Sequence, residues 1–105
     1  MDFMYVVSSD YTNEHTDIYN AVSIDKVFKT KDEAATYADK CYRRFTAEAK
    51  KEEWPDRSNV KAVDVESYCD FCGCQIYPYP EYVIGETLDN GEYYHMYYMV
   101  LKVEE

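Results

Sequence analysis

The sequence predicts an α+β fold in which one long helix packs on one face of a mostly antiparallel sheet, in the order β-β-α-β-β-β. Three observations favour this fold. One segment combines helical periodicity with a capping signal, several short segments are rich in aromatic and β-branched residues, and Asn90-Gly91 is a favoured two-residue hairpin turn. A chain of 105 residues suffices for one compact domain but not for two, so residues 1–105 are interpreted as a single domain.

Two extended segments precede the helix. Phe3–Ser9 is rich in aromatic and β-branched residues and predicts a strand. The polar stretch Asp10–Asp17 predicts a loop, and Ile18–Phe28 predicts a second strand, antiparallel to the first.

The helix begins at a capping box. Thr30 and Glu33 have the spacing in which the Thr hydroxyl accepts from the backbone N–H of Glu33 and the Glu carboxylate reaches back. The helix is expected to end before Trp54-Pro55, because proline disfavours helical geometry in the residue before it. Small and apolar residues recur at helical spacing and predict a buried stripe: Ala34, Ala38, Cys41, Phe45 and Ala49, with Ala35 and Tyr42 beside it.

The part of the chain after the helix predicts further strands. Val60–Ser67 predicts a strand with one solvent-exposed face, because valines alternate with acids. Tyr68–Gln75 is a cysteine-rich turn, and the prolines in Ile76–Tyr82 predict a loop or an edge strand. Tyr82–Glu86 and Glu92–Glu104 predict a hairpin.

The last of these strands is apolar on both faces over most of its length. It is therefore expected to be central in the sheet or to cover a partner surface, which leaves a homodimer open.

Charge is divided unevenly along the chain. Residues 1–25 carry a net charge of −5, residues 26–61 carry +3 and residues 62–105 carry −8, for a total of −10. A chain of this kind repels nucleic acid and anionic membranes and is steered toward basic surfaces. The expected partner is therefore a protein with a basic, nucleic-acid-binding surface, rather than nucleic acid or a membrane.

The acidic C-terminal segment also carries most of the tyrosines, and together they predict a partner-binding patch. Carboxylates can replace phosphates as partners for Arg and Lys, and Tyr rings give rigid contact area. The alternative is that the acids only solvate the surface. The candidate residues are Asp64, Glu66, Asp70, Glu81, Glu86, Asp89 and Glu92, with Tyr77, Tyr79, Tyr82, Tyr94 and Tyr98.

Four cysteines leave three interpretations open. Cys69, Cys72 and Cys74, spaced around Gly73, resemble one knuckle of a zinc site, for which Cys41 or His95 could supply the fourth ligand. A structural zinc is thus the one cofactor considered, in a structural or adaptor module. The other interpretations are a dithiol redox protein and a plain turn with reduced thiols.

The sequence contains none of the common catalytic motifs. There is no Gly-rich phosphate loop and no G-x-S-x-G, H-E-x-x-H or Walker pattern, so no catalytic residue is assigned and a non-enzymatic role is expected. The N-terminus lacks the basic start and long apolar stretch of a signal peptide, which predicts a cytoplasmic protein.

The stretch from Val27 to Ala38 resembles a pattern found in many short proteins of phages and other mobile elements. In size, in acidity and in its lack of an active-site motif, the chain also resembles phage anti-defence proteins, including anti-CRISPR and anti-restriction inhibitors. That resemblance implies an inhibitor in the host cytoplasm that mimics nucleic acid and blocks the nucleic-acid-binding groove of a host defence nuclease. It assigns no role to any individual residue.

Overall fold

The computed structural model of the chain describes residues 2–72, 79–88 and 92–104, apart from the Cys72 side chain. Within these ranges it contains five strands and two α-helices, which confirms the predicted α+β class. The elements are β1 (Phe3–Asn13), β2 (Ile18–Phe28), α1 (Lys31–Ala49), β3 (Lys61–Val63), α2 (Val65–Cys72), β4 (Pro80–Leu88) and β5 (Tyr94–Glu104).

The five strands form one antiparallel sheet in the order β2-β1-β5-β4-β3. The predicted pairing of β1 with β2 is confirmed, and so is the pairing of β4 with β5. Strand β5 is in the centre, as its two apolar faces predict, and β2 and β3 are at the edges.

Helix α1 covers one face of the sheet, which is called the α1 face below. The capping box is confirmed, because the Thr30 hydroxyl accepts from the Glu33 backbone N–H at 3.2 Å and donates to the Glu33 carboxylate at 2.9 Å. Ala34 and Ala38 are 0% exposed and pack against Val7 and Val100. The short Ala side chains of the predicted stripe therefore let the helix lie close to β1 and β5.

Helix α2 covers part of the opposite face, called the α2 face. Its Tyr68 belongs to a buried cluster with Val83, Tyr97 and Met99, and Val65 packs against this cluster. On the second face of β5, Tyr97 and Met99 thus pack against α2, and the homodimer that the apolar character of this face left open stays a prediction. Exposed apolar side chains on this face include Val22, Ile24 and Val27 of edge strand β2, and α2 itself exposes Phe71.

The structure corrects the prediction for Val60–Ser67. Only Lys61–Val63 is a strand, and α2 begins at Val65. The reason is a reciprocal cap: Asp64 Oδ1 accepts from the Ser67 backbone N–H at 2.9 Å, and Ser67 Oγ accepts from the Asp64 N–H at 3.0 Å. This local capping outweighs the alternation of valines and acids, and it turns the first part of the predicted cysteine-rich turn into helix.

Strand β1 is longer than predicted, because residues 10–13 are strand and not loop. These residues pair with β5 on one side and largely with β2 on the other. All four have side-chain partners: His95 lies beside Asp10, Asn20 lies beside Thr12, and Asn13 donates to the Tyr11 hydroxyl. Helix α1 ends at Ala49, a few residues before the predicted end at Trp54. The predicted turn at Asn90-Gly91 and the stretch 73–78 lie outside the described residues.

No helix in the described ranges combines the length and the hydropathy needed to cross a bilayer.

Candidate functional site

Glu86, predicted as part of a surface patch, lies in the interior. Its side chain is 0% exposed and accepts four hydrogen bonds. Arg57 donates two, at 2.5 and 2.6 Å, the Tyr94 hydroxyl donates one at 2.6 Å, and the Tyr42 hydroxyl donates one at 2.9 Å. These four groups are called the Glu86 network below.

The electrostatics of the Glu86 network are those of a satisfied buried ion. Burial alone raises the pKa of Glu86, but the bonds from Arg57, Tyr94 and Tyr42 outweigh it and hold that pKa below its usual value. Burial, and then the neighbouring carboxylate, raise the pKa of the Tyr42 and Tyr94 hydroxyls, so both keep their protons and donate. The prediction that Glu86 and Tyr94 belong to a surface patch is therefore wrong; both build the core.

Two further tyrosines of the predicted patch, Tyr82 and Tyr98, lie half-buried on the α1 face. The Tyr82 hydroxyl donates to Asp39 on α1, and burial, with this carboxylate, raises the pKa of Tyr82 to about 12. Burial also raises the pKa of Tyr98 to about 12. Both side chains pack between the sheet and α1 and do not join the acids of the α2 face.

Three of the predicted acids, Asp64, Glu66 and Asp70, are brought together on α2 and its N-terminal cap. All three are exposed. Hydrogen bonds from the Ser67 backbone and hydroxyl lower the pKa of Asp64, so this cap stays ionised into the acidic range. Val65 and Tyr68 anchor the same helix in the core, and the three carboxylates therefore sit on a fixed element.

The remaining predicted residues are spread over the two ends of the β4–β5 hairpin. Tyr79 and Glu81 are exposed at the start of β4, and Glu92 is exposed before β5, at the opposite end. Asp89 and Tyr77 lie outside the described residues. The structure therefore splits the predicted patch and leaves its largest described group of acids on α2.

Charged residues are distributed differently over the two faces of the sheet. Lys61 is the one basic residue whose position in a strand places it on the α2 face, whereas Lys26 and Lys102 belong to the α1 face. Helix α1 and the two residues after it carry six bases, Lys31, Lys40, Arg43, Arg44, Lys50 and Lys51, but also four acids, Asp32, Glu33, Asp39 and Glu48, so their net charge is only +2. Helix α1 is therefore mixed in charge, whereas all the charged residues of α2 and its cap are acids.

The structure places the candidate zinc ligands Cys41, Cys69 and His95 in different surroundings. Cys41 is on α1 and Cys69 is on α2, so the sheet lies between them and Cys41 is not a fourth ligand for a site at Cys69. His95 is on the α2 face, but its Nε2 lies 3.0 Å from Asp10 Oδ1 and its ring stacks on Tyr97 at 4.3 Å. Among residues 2–72, 79–88 and 92–104 no three potential metal ligands converge.

The rest of the knuckle, the Cys72 side chain and Cys74, lies outside what is described, so the zinc hypothesis stays a prediction. For the redox hypothesis, Cys69 and Cys72 occupy the last turn of α2. That is the negative end of the helix dipole, which does not favour a thiolate.

A concave site that the sequence did not predict lies on the α1 face, at the end of the sheet where β1 ends and β5 begins. A cavity of about 180 Å³ there adjoins a wider one of about 810 Å³, and both are lined by Tyr11, Asn13, Glu52 and Trp54. We call this pair of cavities the aromatic groove. The available sequence signal was Trp54, the only tryptophan, directly after Glu52-Glu53.

Comparisons of the chain with protein-family models, with curated proteins and with solved structures found no match.

Proposed function

We propose that this chain is a non-catalytic binding protein that inhibits a nucleic-acid-handling enzyme, such as a phage-targeted defence nuclease, by covering its basic groove. The observation that supports the proposal is the exposed set Asp64, Glu66 and Asp70 on α2, a helix without Lys or Arg, whereas α1 on the opposite face of the sheet carries as many bases as acids. The α2 face is thus suited to approach a basic surface.

The acids on α2 are arranged for this contact. Glu66 and Asp70 are one helical turn apart, which places their Cβ atoms about 5–6 Å from each other on one side of the helix. Carboxylates accept hydrogen bonds from Arg and Lys as phosphates do, and Arg binds them in a bidentate manner. Because α2 is anchored through Val65 and Tyr68, little backbone freedom is lost on binding.

Tyr79 and Glu81, which follow α2 along the chain, are added to the candidate surface. They are exposed at the start of β4, and β4 is a strand against which α2 packs. A tyrosine that is 55% exposed supplies a large ring with few rotatable bonds, which suits a contact surface. The proposed surface therefore consists of Asp64, Glu66, Asp70, Tyr79 and Glu81.

The proposal is tested with a charge-reversal triple variant, Glu66→Lys, Asp70→Lys and Glu81→Lys. It spares the Asp64 cap and the buried Glu86. A matched control, Asp2→Lys, Asp25→Lys and Glu104→Lys, makes the same change in net charge at exposed acids outside α2 and β4. Immobilised wild-type protein captures partners from host lysate, and captured partners are challenged with duplex DNA and with single-stranded RNA.

The expected result is a partner that either polynucleotide displaces, and whose affinity falls steeply with salt. The α2 variant is expected to lose inhibition of that partner, and the control variant to keep most of it. A partner that neither polynucleotide displaces, or equal inhibition by the wild type and the α2 variant, would refute the proposal.

A further inference from the structure

The aromatic groove has four aromatic rings arranged around its smaller cavity. Trp54 and Tyr94 meet edge to face with ring centroids 5.6 Å apart, and Tyr11 meets Phe45 at 5.6 Å and Tyr94 at 6.3 Å. The orientation of the Tyr94 ring is fixed, because its hydroxyl donates a hydrogen bond to the buried Glu86. The Tyr94 wall is therefore fixed in place, and the faces of the rings, which are the negative part of the aromatic quadrupole, attract cations.

The rim of the aromatic groove is acidic. Glu48, Glu52 and Glu53 line it, and none of its described lining residues is Lys or Arg. One intrachain cation is near: Lys51 Nζ lies 3.4 Å from Glu48 Oε1, but these two side chains are 71% and 73% exposed. An exposed pair of this kind contributes little and exchanges readily. The ring of His15, which lines the wider cavity, stacks on Trp54 with ring centroids 4.8 Å apart and covers one face of that indole. The groove therefore presents acidic side chains beside the remaining aromatic faces.

An unpartnered acceptor lies in the same place. Asn13 is 6% exposed and lines both cavities, and its Nδ2 donates to the Tyr11 hydroxyl at 2.9 Å. Its Oδ1 is buried and has no hydrogen-bond partner among the described residues. A buried carbonyl oxygen without a partner costs free energy, so this site favours a ligand that brings an N–H donor.

We propose that the aromatic groove binds a guanidinium group, that of an arginine side chain. A guanidinium is planar and stacks on an aromatic ring, and its five N–H donors can serve the carboxylates and Asn13 Oδ1 together. A quaternary ammonium has no N–H donor and leaves Asn13 Oδ1 unpaired. The smaller cavity, about 180 Å³, is below the size of typical drug-sized pockets and suits a single side chain.

This site is separate from the proposed inhibitory surface. Tyr11, Asn13 and Tyr94 belong to the α1 face, whereas Asp64, Glu66 and Asp70 belong to α2 on the other side of the sheet. The guanidinium proposal therefore does not depend on competition with nucleic acid, and either proposal can fail alone.

The experiment uses the full chain and the fluorescence of Trp54, the only tryptophan, so the signal arises inside the groove. The probe is N-acetyl-arginine methylamide, and the control probe is its citrulline analogue, which has nearly the same shape but no charge. A five-residue peptide with one central arginine is the second probe. If the natural ligand is an arginine within a protein, the peptide is expected to bind more tightly than the single residue, because its flanking backbone adds contacts. Saturable binding of the arginine probe, at least about tenfold tighter than the citrulline probe, is expected.

Variants locate the binding. The double substitution Glu52→Gln and Glu53→Gln is expected to weaken the arginine probe at least about tenfold, since it removes two charged acceptors without changing side-chain shape. Asn13→Leu is expected to weaken it as well, with an unchanged far-UV spectrum showing that the fold persists. The control, Glu104→Gln, removes a charge at the other end of β5 and is expected to bind as the wild type does. No saturable response, equal binding of both probes, or an unaffected double variant would overturn the proposal.

Discussion

Replacing Glu86 with glutamine is the most informative perturbation of this fold. The substitution keeps the shape of the side chain but removes its charge, and it turns one of the two acceptor oxygens into a donor. In the native chain both oxygens are used, with Arg57 bonded to each, Tyr42 to one and Tyr94 to the other. In the variant, the amide N–H₂ group of the glutamine therefore faces the N–H and O–H groups that donate to Glu86 in the native chain, and this occurs in a fully buried position.

The expected cost follows from the burial of the partners. Removing one member of a buried ion pair typically costs about 3–5 kcal/mol, because the other charge is left uncompensated. The Arg57 side chain is 28% exposed and water can solvate part of it, so the lower end, about 3 kcal/mol, is expected. Domains of this kind are stable by roughly 5–15 kcal/mol, so a large fraction of the total is at stake.

Urea unfolding followed by far-UV circular dichroism and Trp54 fluorescence measures this loss. The matched control is Glu81→Gln, an exposed acid on the same strand, with an expected change within about 0.5 kcal/mol. Tyr42→Phe removes one bond and no charge, and about 1 kcal/mol is expected. If Glu86→Gln costs no more than Glu81→Gln at an unchanged m-value, then the Glu86 network does not stabilise the fold.

Three further outcomes are expected. Gly85→Ala places a Cβ 2.2 Å from the backbone oxygen of Met96, a clash that only a shift of the β5 backbone could relieve. Thermal unfolding should therefore show that the free energy of unfolding falls by at least about 2 kcal/mol, and a near-neutral result would contradict the close approach of β4 and β5. Thr30→Ala removes the α1 cap and should cost about 1 kcal/mol in urea unfolding, with Thr30→Ser as a control that retains the hydroxyl. For the wild type, the lowered pKa of Glu86 means that its contribution is present above its ordinary pKa near 4.5 and is lost as the pH falls below that value. In Arg57→Met, a group that lowers the pKa of Glu86 is lost while the burial that raises it remains, and we expect this pKa to rise above its ordinary value. Unfolding free energies should then be lower at pH 7 than at pH 5 relative to the wild type; equal differences at the two pH values would contradict this assignment.

The Glu86 network and the aromatic groove share one residue, Tyr94. Its hydroxyl binds Glu86, and its ring forms a wall of the groove. A substitution in the network is therefore expected to move this wall, whereas the rim acids Glu52 and Glu53 can be changed without touching the core.

Local signals in the sequence sufficed for the elements whose causes are local. The Thr30 capping box and the Ala stripe predicted where α1 begins and which side it buries, because both depend on residues within a few positions of each other. The apolar faces of β5 predicted its central place in the sheet. Local patterns misled where two of them competed, as at Asp64–Ser67, where a cap outweighed alternation.

The sequence by itself also determined the total charge and its division along the chain, but not which acids would be exposed. Glu86 and Glu81 look alike in the sequence, yet one is buried and the other is exposed. Only the tertiary structure decided this, because a carboxylate can be buried only where other elements bring donors to it. For Glu86 those donors include Arg57, 29 residues away, and Tyr42 on α1. The aromatic groove depends on tertiary structure for the same reason, since β1, α1, the segment at Trp54 and β5 meet there only after the sheet and helix have packed.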